Sequence, residues 1–597
     1  MKLNKFNKNL KEEFNNIEKE EIAIKKKSII KPTFLSLSLA SLVLVITIIA
    51  VILNTNGSNS NNKFNKYFNQ YNNAYYKELN KTSKEELQDR EDYGDFCYEF
   101  HHGFGYGSAN KTDMEQYYAD TVTNKEGESQ YETNNQEFGV DEADIAKSDG
   151  SYVYYLTSTH YSYSIDYNID FTEDKYLISK EVLYVYDLTG NIICTKEFEN
   201  YSYYRFTFYS DRKMVIYDNK IIIMSSHSLE IYELKDNKLH SLYDTSIYNV
   251  NISILDMRLL DNTLYYVSRS KTNVLYLDYD NTYYDEISDF ACEYMLNKID
   301  LDTLGSDNVS ISSVSLLSSP NAILYMNNTH IVISNNSYFL DYDDLDYTLN
   351  SVFTIDLVPV GTFVIHGEVD NKYFIDVYEN QLRIVGSRSW YYDYENSLSI
   401  FDLNTKELMS KIDKGLGHDM EAVKSVNFKD DKCYIVTFYQ QDPLYEIDLS
   451  NPYELKITSA LEMPGYSIYT KSFYINGNEY LFGMGYLDSD YKYSVYKINN
   501  DKENEVLKDY IFNEKDYTYF ITDFENPLSL FIYNTNDYLY VGKSISTDKY
   551  LLMKIDVNSD EVFSVYKDIE TNNLTRLFLI NDKIYIPNGE NIIIEEF

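Results

Sequence analysis

One pattern recurs nine times along this chain and limits its fold more than any other feature: a tight turn of Asp, Asn or Gly followed by a short apolar run. It reads SDGSYVYYL from Ser148, YDNKIIIMS from Tyr217, LDNTLYYVS from Leu260, MNNTHIVIS from Met326 and YENQLRIVG from Tyr378. It continues as KDDKCYIVT from Lys429, INGNEYLFG from Ile475, TNDYLYVG from Thr535 and INDKIYIPN from Ile580. Asn, Asp and Gly tolerate the left-handed backbone of two-residue hairpins, so each copy predicts a turn between two strands. Most copies are followed by a further strand ending in an apolar–Asp–apolar triplet, such as Tyr186-Asp187-Leu188, Ile299-Asp300-Leu301, Ile355-Asp356-Leu357, Phe401-Asp402-Leu403 or Ile447-Asp448-Leu449. Four short strands repeating every 40–50 residues or so are the signature of propeller blades, with longer intervals absorbing loop insertions.

Residues 424–460 serve as the template blade, with VKSVNF, KCYIVTF, PLYEIDL and ELKITSAL as its four strands. The expected fold is therefore all-β, a multi-bladed propeller of about eight four-stranded blades, seven to nine being allowed. A pair of β-sandwiches is the alternative. The last copy offers only TRLFLI, KIYIP and NIIIEEF before the sequence stops. A closed ring then needs a fourth strand for that blade, and residues 134–147 are the expected donor.

Composition agrees with a strand-rich fold: 44% of residues are hydrophobic, and 64 tyrosines stand against 21 glycines and 8 prolines. The formal net charge of −41 argues against nucleic-acid binding as a main role and favours cations or basic partners. Cys97, Cys194, Cys292 and Cys433 form no closely spaced pair, so neither a zinc site nor a small disulfide scaffold is indicated. Cys194 and Cys433 lie in apolar runs and read as buried free thiols.

Phe34 to Leu53 is a run of twenty residues without a charge, about 30 Å as a helix and enough for one membrane crossing. Lys25, Lys26, Lys27 and Lys31 precede it and Asn54-Thr55-Asn56 follow, which places the N-terminus in the cytoplasm and the rest outside. A cleaved signal peptide is the competing reading, but the run is long and Ala50-Val51-Ile52-Leu53 is a poor cleavage pattern. The expected organisation is a cytoplasmic tail (1–33), a transmembrane anchor (34–53), an extracytoplasmic spacer (54–132) and the propeller (133–597). In the spacer, Phe64, Tyr67, Phe68, Tyr71, Tyr75 and Leu79 recur at helical spacing, and Thr82 with Glu85 fits a capping box. Gly103-Phe104-Gly105-Tyr106-Gly107 lacks the closing Lys-Ser/Thr of a phosphate loop and reads as a linker.

From Thr133 the chain reads TNNQEFGVDEADIAKSDG, and residues 424–469 read KSVNFKDDKCYIVTFYQQDPLYEIDLSNPYELKITSALEMPGYSIY. In both stretches it resembles the bacterial and archaeal family of secreted proteins with a C-terminal β-propeller domain distantly related to WD-40 repeats. The resemblance runs from about Thr133 to Phe597. It implies the fold and an extracytoplasmic setting, and it carries no catalytic residues. Where that family often continues into Leu-His-Pro, this chain has Tyr469-Thr470-Lys471.

Signatures of propeller enzymes are missing. Trp390 is the only tryptophan, against one per blade in quinone-dependent dehydrogenases, and neither Gly-x-Ser-x-Gly nor His-Glu-x-x-His occurs. Gly542-Lys543-Ser544 falls in a predicted strand without the leading glycine of a phosphate loop, since Asp537 stands there. Asp341-Tyr342-Asp343-Asp344 and Asp278-Tyr279-Asp280 begin like calcium loops, but Asp346 and Val352 replace the glycine and closing glutamate in the first. Asp141, Glu142 and Asp144 are the remaining metal candidates, because carboxylates this close could share a divalent ion such as calcium; structural acceptors are the alternative. The expected function is a membrane-anchored binding or scaffolding module for an extracellular protein, glycan or envelope polymer. An extracellular hydrolase working through paired carboxylates is the second hypothesis, to be recognised by two carboxylates converging in a central pocket with shifted pKa values.

Overall fold

The computed structural model describes residues 130–597 apart from 161–175, 203–211, 227, 247–251, 271–291, 306–308, 319–321, 338–346, 388–395, 419–420, 439–441, 489, 500–503, 513–525, 547 and 573. The cytoplasmic-tail and anchor segments, the spacer up to residue 129, Cys97, Trp390 and both calcium-loop-like stretches lie outside the described residues. Among those described, the only helices are three single 3₁₀ turns, and no helix is long and apolar enough to cross a membrane.

Strands form nine antiparallel sheets taken in chain order, blades 1 to 9, at 146–202, 213–246, 252–318, 322–366, 375–412, 422–463, 466–511, 531–570 and 578–596. The count is nine rather than eight because each of the nine turn motifs opens a blade of its own. Blades 1 to 8 each contribute four consecutive strands, A to D from the centre outward; blade 6, the template, has its strands at Ala422–Lys429, Lys432–Phe438, Asp442–Asp448 and Lys456–Met463.

The repeated residues do the same job in most blades. Asp218, Asp261, Asn380, Asp430, Asn476 and Asn581 adopt positive φ in the A–B turn, as the motif requires. The Asp of the triplet then caps the C–D turn: Asp187, Asp402 and Asp448 each accept a backbone N–H two residues ahead through the side chain. The apolar residue after it donates back to the A–B turn, Leu301 to Asn262, Leu403 to Asn380 and Leu449 to Asp431. One turn is thus pinned to the other across every such blade.

Between blades the packing is apolar. Tyr154, Leu156 and Val185 of blade 1 meet Met214, Ile221 and Ile223 of blade 2, and comparable clusters join each neighbouring pair around the ring. The ring closes where Val153, Tyr155 and Tyr186 of blade 1 pack on Phe578, Ile580 and Tyr585 of blade 9. Fully burying each Val, Leu, Ile or Phe side chain contributes roughly 1.5–3 kcal/mol. Tyrosine phenols add bonds to backbone carbonyls across that closing seam, Tyr155 to Leu574 at 2.6 Å, Tyr585 to Leu188 at 3.3 Å, and Tyr186 to Gly589.

The donor expected for the last blade is overturned. Among the described residues blade 9 has three strands, Phe578–Ile580, Lys583–Asn588 and Asn591–Glu596. Residues 134–147 do not lie on its outer edge. Ala146–Ser148 is strand A of blade 1, and Val140–Glu142 adds a fifth strand to blade 3 by pairing with Arg258–Leu260. The sequence marked three strands for this blade but not where the hydrogen bonds of residues 134–147 would go.

Cys433 is buried and free, and burial pushes its thiol well up; Cys194, also free, is only half buried and is pushed up to about 11.

Candidate functional site

Residues 130–147 run through the centre of the ring and bind the inner ends of its blades. Gln130 exchanges two backbone bonds with Leu579 of blade 9, at 2.7 and 2.8 Å. Asn134 is buried, and both ends of its amide are used: its nitrogen donates to the Tyr469 hydroxyl of blade 7 and to the Pro527 carbonyl leading into blade 8, both at 2.9 Å, while its oxygen accepts from Lys471 at 2.6 Å. Tyr469 and Lys471 belong to the stretch that departs from the family pattern, and here they hold this segment. Gln136 donates to the carbonyls of Lys372 and Ile375 at the start of blade 5. Gly139 then turns the chain at φ +76°, which an L side chain rarely adopts. Asp144 exchanges backbone bonds with Met214 of blade 2 at 3.1 and 2.8 Å.

The three metal candidates sit on this segment, and each has its own cation. Asp141 accepts from Lys147 at 2.6 Å. Glu142, 2% exposed, is paired with Lys372 and lies 3.8 Å from Arg258. Asp144, also 2% exposed, takes a bidentate pair from Arg576 of blade 9 at 2.7 and 2.8 Å. Planar guanidinium–carboxylate forks of this kind give geometric specificity as well as energy. Among the described residues no group of three or more His, Cys, Asp or Glu side chains is placed to hold a metal ion.

Sequence reasoning passed over Glu137, the one carboxyl here with a large shift. Burial pushes it up to about 8, the Asp376 charge adds to this, and a hydrogen bond from Tyr325 with the Arg383 and Lys372 charges works against it. Asp376 is itself held by Arg383, whose Nε donates at 2.5 Å. Burial also lowers two lysines at the centre, Lys372 to about 7 and Lys471 to about 8. The signal that could have found Glu137 was its place inside the Thr133–Gly150 stretch, but nothing in its neighbours' spacing shows that Tyr325 and Asp376 meet it.

The two faces of the ring differ. A–B and C–D connections share one face; the A–B turns are short, and the longest C–D connection lies between Asp300 and Ile311. B–C and D–A connections start and end at the other, where the longest interruptions fall, between His160 and Tyr176, Ser270 and Cys292, and Ile511 and Phe531, together with those between Ser202 and Lys213, Ser337 and Tyr347, and Gly386 and Ser397. These insertions are rich in aromatic and acidic residues, among them Tyr283, Tyr284, Asp285 and Glu286 in one and Trp390, Tyr391, Tyr392 and Asp393 in another.

A ring of radially arranged antiparallel sheets with strand A at the centre defines a β-propeller, here with its own N-terminal segment threaded through the middle. The chain belongs to the Beta propeller domain family, which matches it over residues 131–596. It is 24% identical over 479 residues to an uncharacterised protein of Archaeoglobus fulgidus, covering 64% of this chain and 71% of that one. Over 257 residues it is 27% identical to an uncharacterised protein of Methanocaldococcus jannaschii, covering 41% of this chain and 38% of that relative's length. Among solved structures it is similar to the β-propeller domain of the Trilobed protease from Pyrococcus furiosus, at 13% identity and a TM-score of 0.28 over 61% of this chain and 97% of that one. It is also similar to AztD from Citrobacter koseri, at 8% identity and a TM-score of 0.36 over 66% and 92%.

Proposed function

We propose that this protein is a membrane-anchored, extracytoplasmic binding module whose ligand surface is the face carrying the B–C and D–A insertions. The observation that carries this reading is that the longest aromatic and acidic insertions all join strand ends on one side of the ring. Loops held by a rigid scaffold are where binding residues concentrate, and tyrosine gives contact area at low entropy cost. The acidic content suits a basic protein segment or an envelope polymer approached through bound divalent cations such as calcium. Asp141, Glu142 and Asp144 support binding over turnover, because each is already paired with Lys147, Lys372 or Arg576.

The test is capture from the cell envelope by the full chain, compared with Tyr283→Ala/Tyr284→Ala, Tyr391→Ala/Tyr392→Ala, and with Lys429→Ala on the opposite face. Loss of capture in the insertion variants alone supports the reading; equal capture by all removes it. Protease added to intact protoplasts should cut after residue 54, and full protection would remove the outward orientation.

The Glu137–Asp376 pair favours a second reading, a carboxylate-dependent hydrolase with Glu137 as general acid, since a carboxyl raised to about 8 keeps its proton near neutrality. Hydrolysis of an envelope glycan or peptide by the purified protein, abolished by Glu137→Gln, would replace binding as the function.

A further inference from the structure

We propose that the centre of the ring binds a small organic carboxylate, held by Lys471 of blade 7 and Tyr373 at the entry to blade 5. Most cations at the centre already face a carboxylate: Lys147 has Asp141, Lys372 has Glu142, Arg383 has Asp376 and Arg576 has Asp144. Lys471 differs. Its ammonium donates to the Asn134 amide oxygen at 2.6 Å, and among the described residues no carboxylate pairs with it. An ammonium has three donors, so two are left for a ligand. Burial without an anion disfavours the charged form, and the Lys471 amine is lowered from 10.5 to about 8 with no opposing charge. A hydroxyl nearby is also unanswered. Tyr373 is half-buried, its ring stands edge-on to that of Tyr469 with centroids 5.3 Å apart, and its hydroxyl is enclosed without a hydrogen-bond partner among the described residues. Such orphaned groups are rare in folded proteins, because each forfeits the bonds it had in water. Asn134 links the two, since its nitrogen donates to the Tyr469 hydroxyl at 2.9 Å while its oxygen accepts from Lys471. Lys471 is itself only half-buried, so solutes can reach its side chain.

The ligand class follows from what these groups can hold. One ammonium and one neutral hydroxyl offer a single positive charge and at least two donors, which match the single charge and two oxygens of a carboxylate. A phosphate dianion would need a second free cation, and the neighbouring ones are committed: Lys372 to Glu142, and Arg258 to Asp256 at 2.7 Å and toward Glu142 at 3.8 Å. Tyr373, Tyr469 and Ile468 belong to one apolar cluster, which offers a wall for the organic part of the ligand. This site depends neither on the insertion face nor on turnover at Glu137.

Saturable thermal stabilisation of the purified full chain by sodium acetate and sodium benzoate, compared with sodium chloride and sodium phosphate at equal ionic strength, tests this. The carboxylate midpoint should weaken roughly ten- to a hundredfold in Lys471→Met, for a lost charge-assisted bond, and about three- to tenfold in Tyr373→Phe, for a lost neutral one. Tyr373→Phe breaks no bond described in the fold, so it separates lost binding from lost folding. A carboxylate response no larger than that of chloride, a phosphate response exceeding both carboxylates, or unchanged midpoints in the two variants each overturns the proposal. The pH dependence gives an independent readout. Binding needs the ammonium, so affinity is full below about pH 8 and falls as pH rises through it. The Tyr469 and Tyr373 phenols facing the site are pushed up by burial and stay neutral there. Glu137 and Lys372 titrate in the same interval, and neither takes a shift from Lys471. Lys471→Arg, which keeps its charge, should therefore lose less affinity than the parent as pH rises through about 8. Equal slopes in parent and variant overturn the proposal as well.

Discussion

The seams between blades and the centre of the ring are built from opposite materials. A seam is apolar, local and repeated: Ile, Val and Tyr side chains of one blade lie on the next, and each blade needs only its two neighbours. The centre is charged, used once, and joins blades that are not neighbours, because residues 130–147 bond to blade 9 through Gln130, blade 7 through Asn134, blade 5 through Gln136 and blade 2 through Asp144. Seams therefore account for why blades stack, and the centre ties together blades that the seams leave independent. Buried charge tolerates little change once formed, since removing one partner strands the other away from water.

The largest expected effect comes from breaking the centre. Asp144→Ala leaves the Arg576 guanidinium, 3% exposed, without its carboxylate and should cost about 3–5 kcal/mol. Denaturant unfolding measures this, and the double variant with Arg576→Ala should lose less than the sum of the singles; full additivity would mean that the pair is uncoupled. Asn134→Ala removes three bonds and takes the side-chain acceptor from Lys471, for about 2–3 kcal/mol. A loss under half of that would place the Tyr469–Lys471 grip among the minor contacts. At a seam, Tyr155→Phe keeps the ring and deletes only the bond to the Leu574 carbonyl, so about 1 kcal/mol is expected. A seam loss as large as the Asp144 loss would erase the distinction between the two regions.

The finest test is pH. Glu137 is raised from 4.5 to about 8, so the folded ring holds a proton that the unfolded chain has already released in that interval. Its contribution is fully present below about pH 4.5 and is lost as pH rises through about 8. Glu137→Gln mimics the protonated form and should gain on the parent as pH rises across that window. Lys372, lowered from 10.5 to about 7 by burial and held up by the Glu137 charge, slopes the other way; Glu137→Gln removes that charge and lowers it further, which adds to the same trend. A constant gap between the two melting curves from acid to mildly basic pH would show that half-buried Glu137 does not hold its proton in the folded ring.

The strands, the nine A–B turns and the Asp-capped C–D turns were legible in the sequence because each depends on residues close along the chain. Period-two alternation writes the strand, and a positive-φ residue such as Asp430 or Asn476 writes the turn. Blade count was legible only to within one, since a motif marks a hairpin but not which sheet receives it. The candidate site was half legible: Asp141, Glu142 and Asp144 belonged to the right segment, but their proximity in sequence suggested a shared ion where the fold gives them separate cations. The partners that decide this lie far off, Asn134 to Tyr469 across 335 residues and Asp144 to Arg576 across 432. The sequence by itself determined local conformation and the repeat, since those follow from side-chain size, polarity and backbone freedom. Only the tertiary structure decided the path of 130–147, because a buried polar group is satisfied by whatever donor the closed ring brings within reach, and that depends on all nine blades at once.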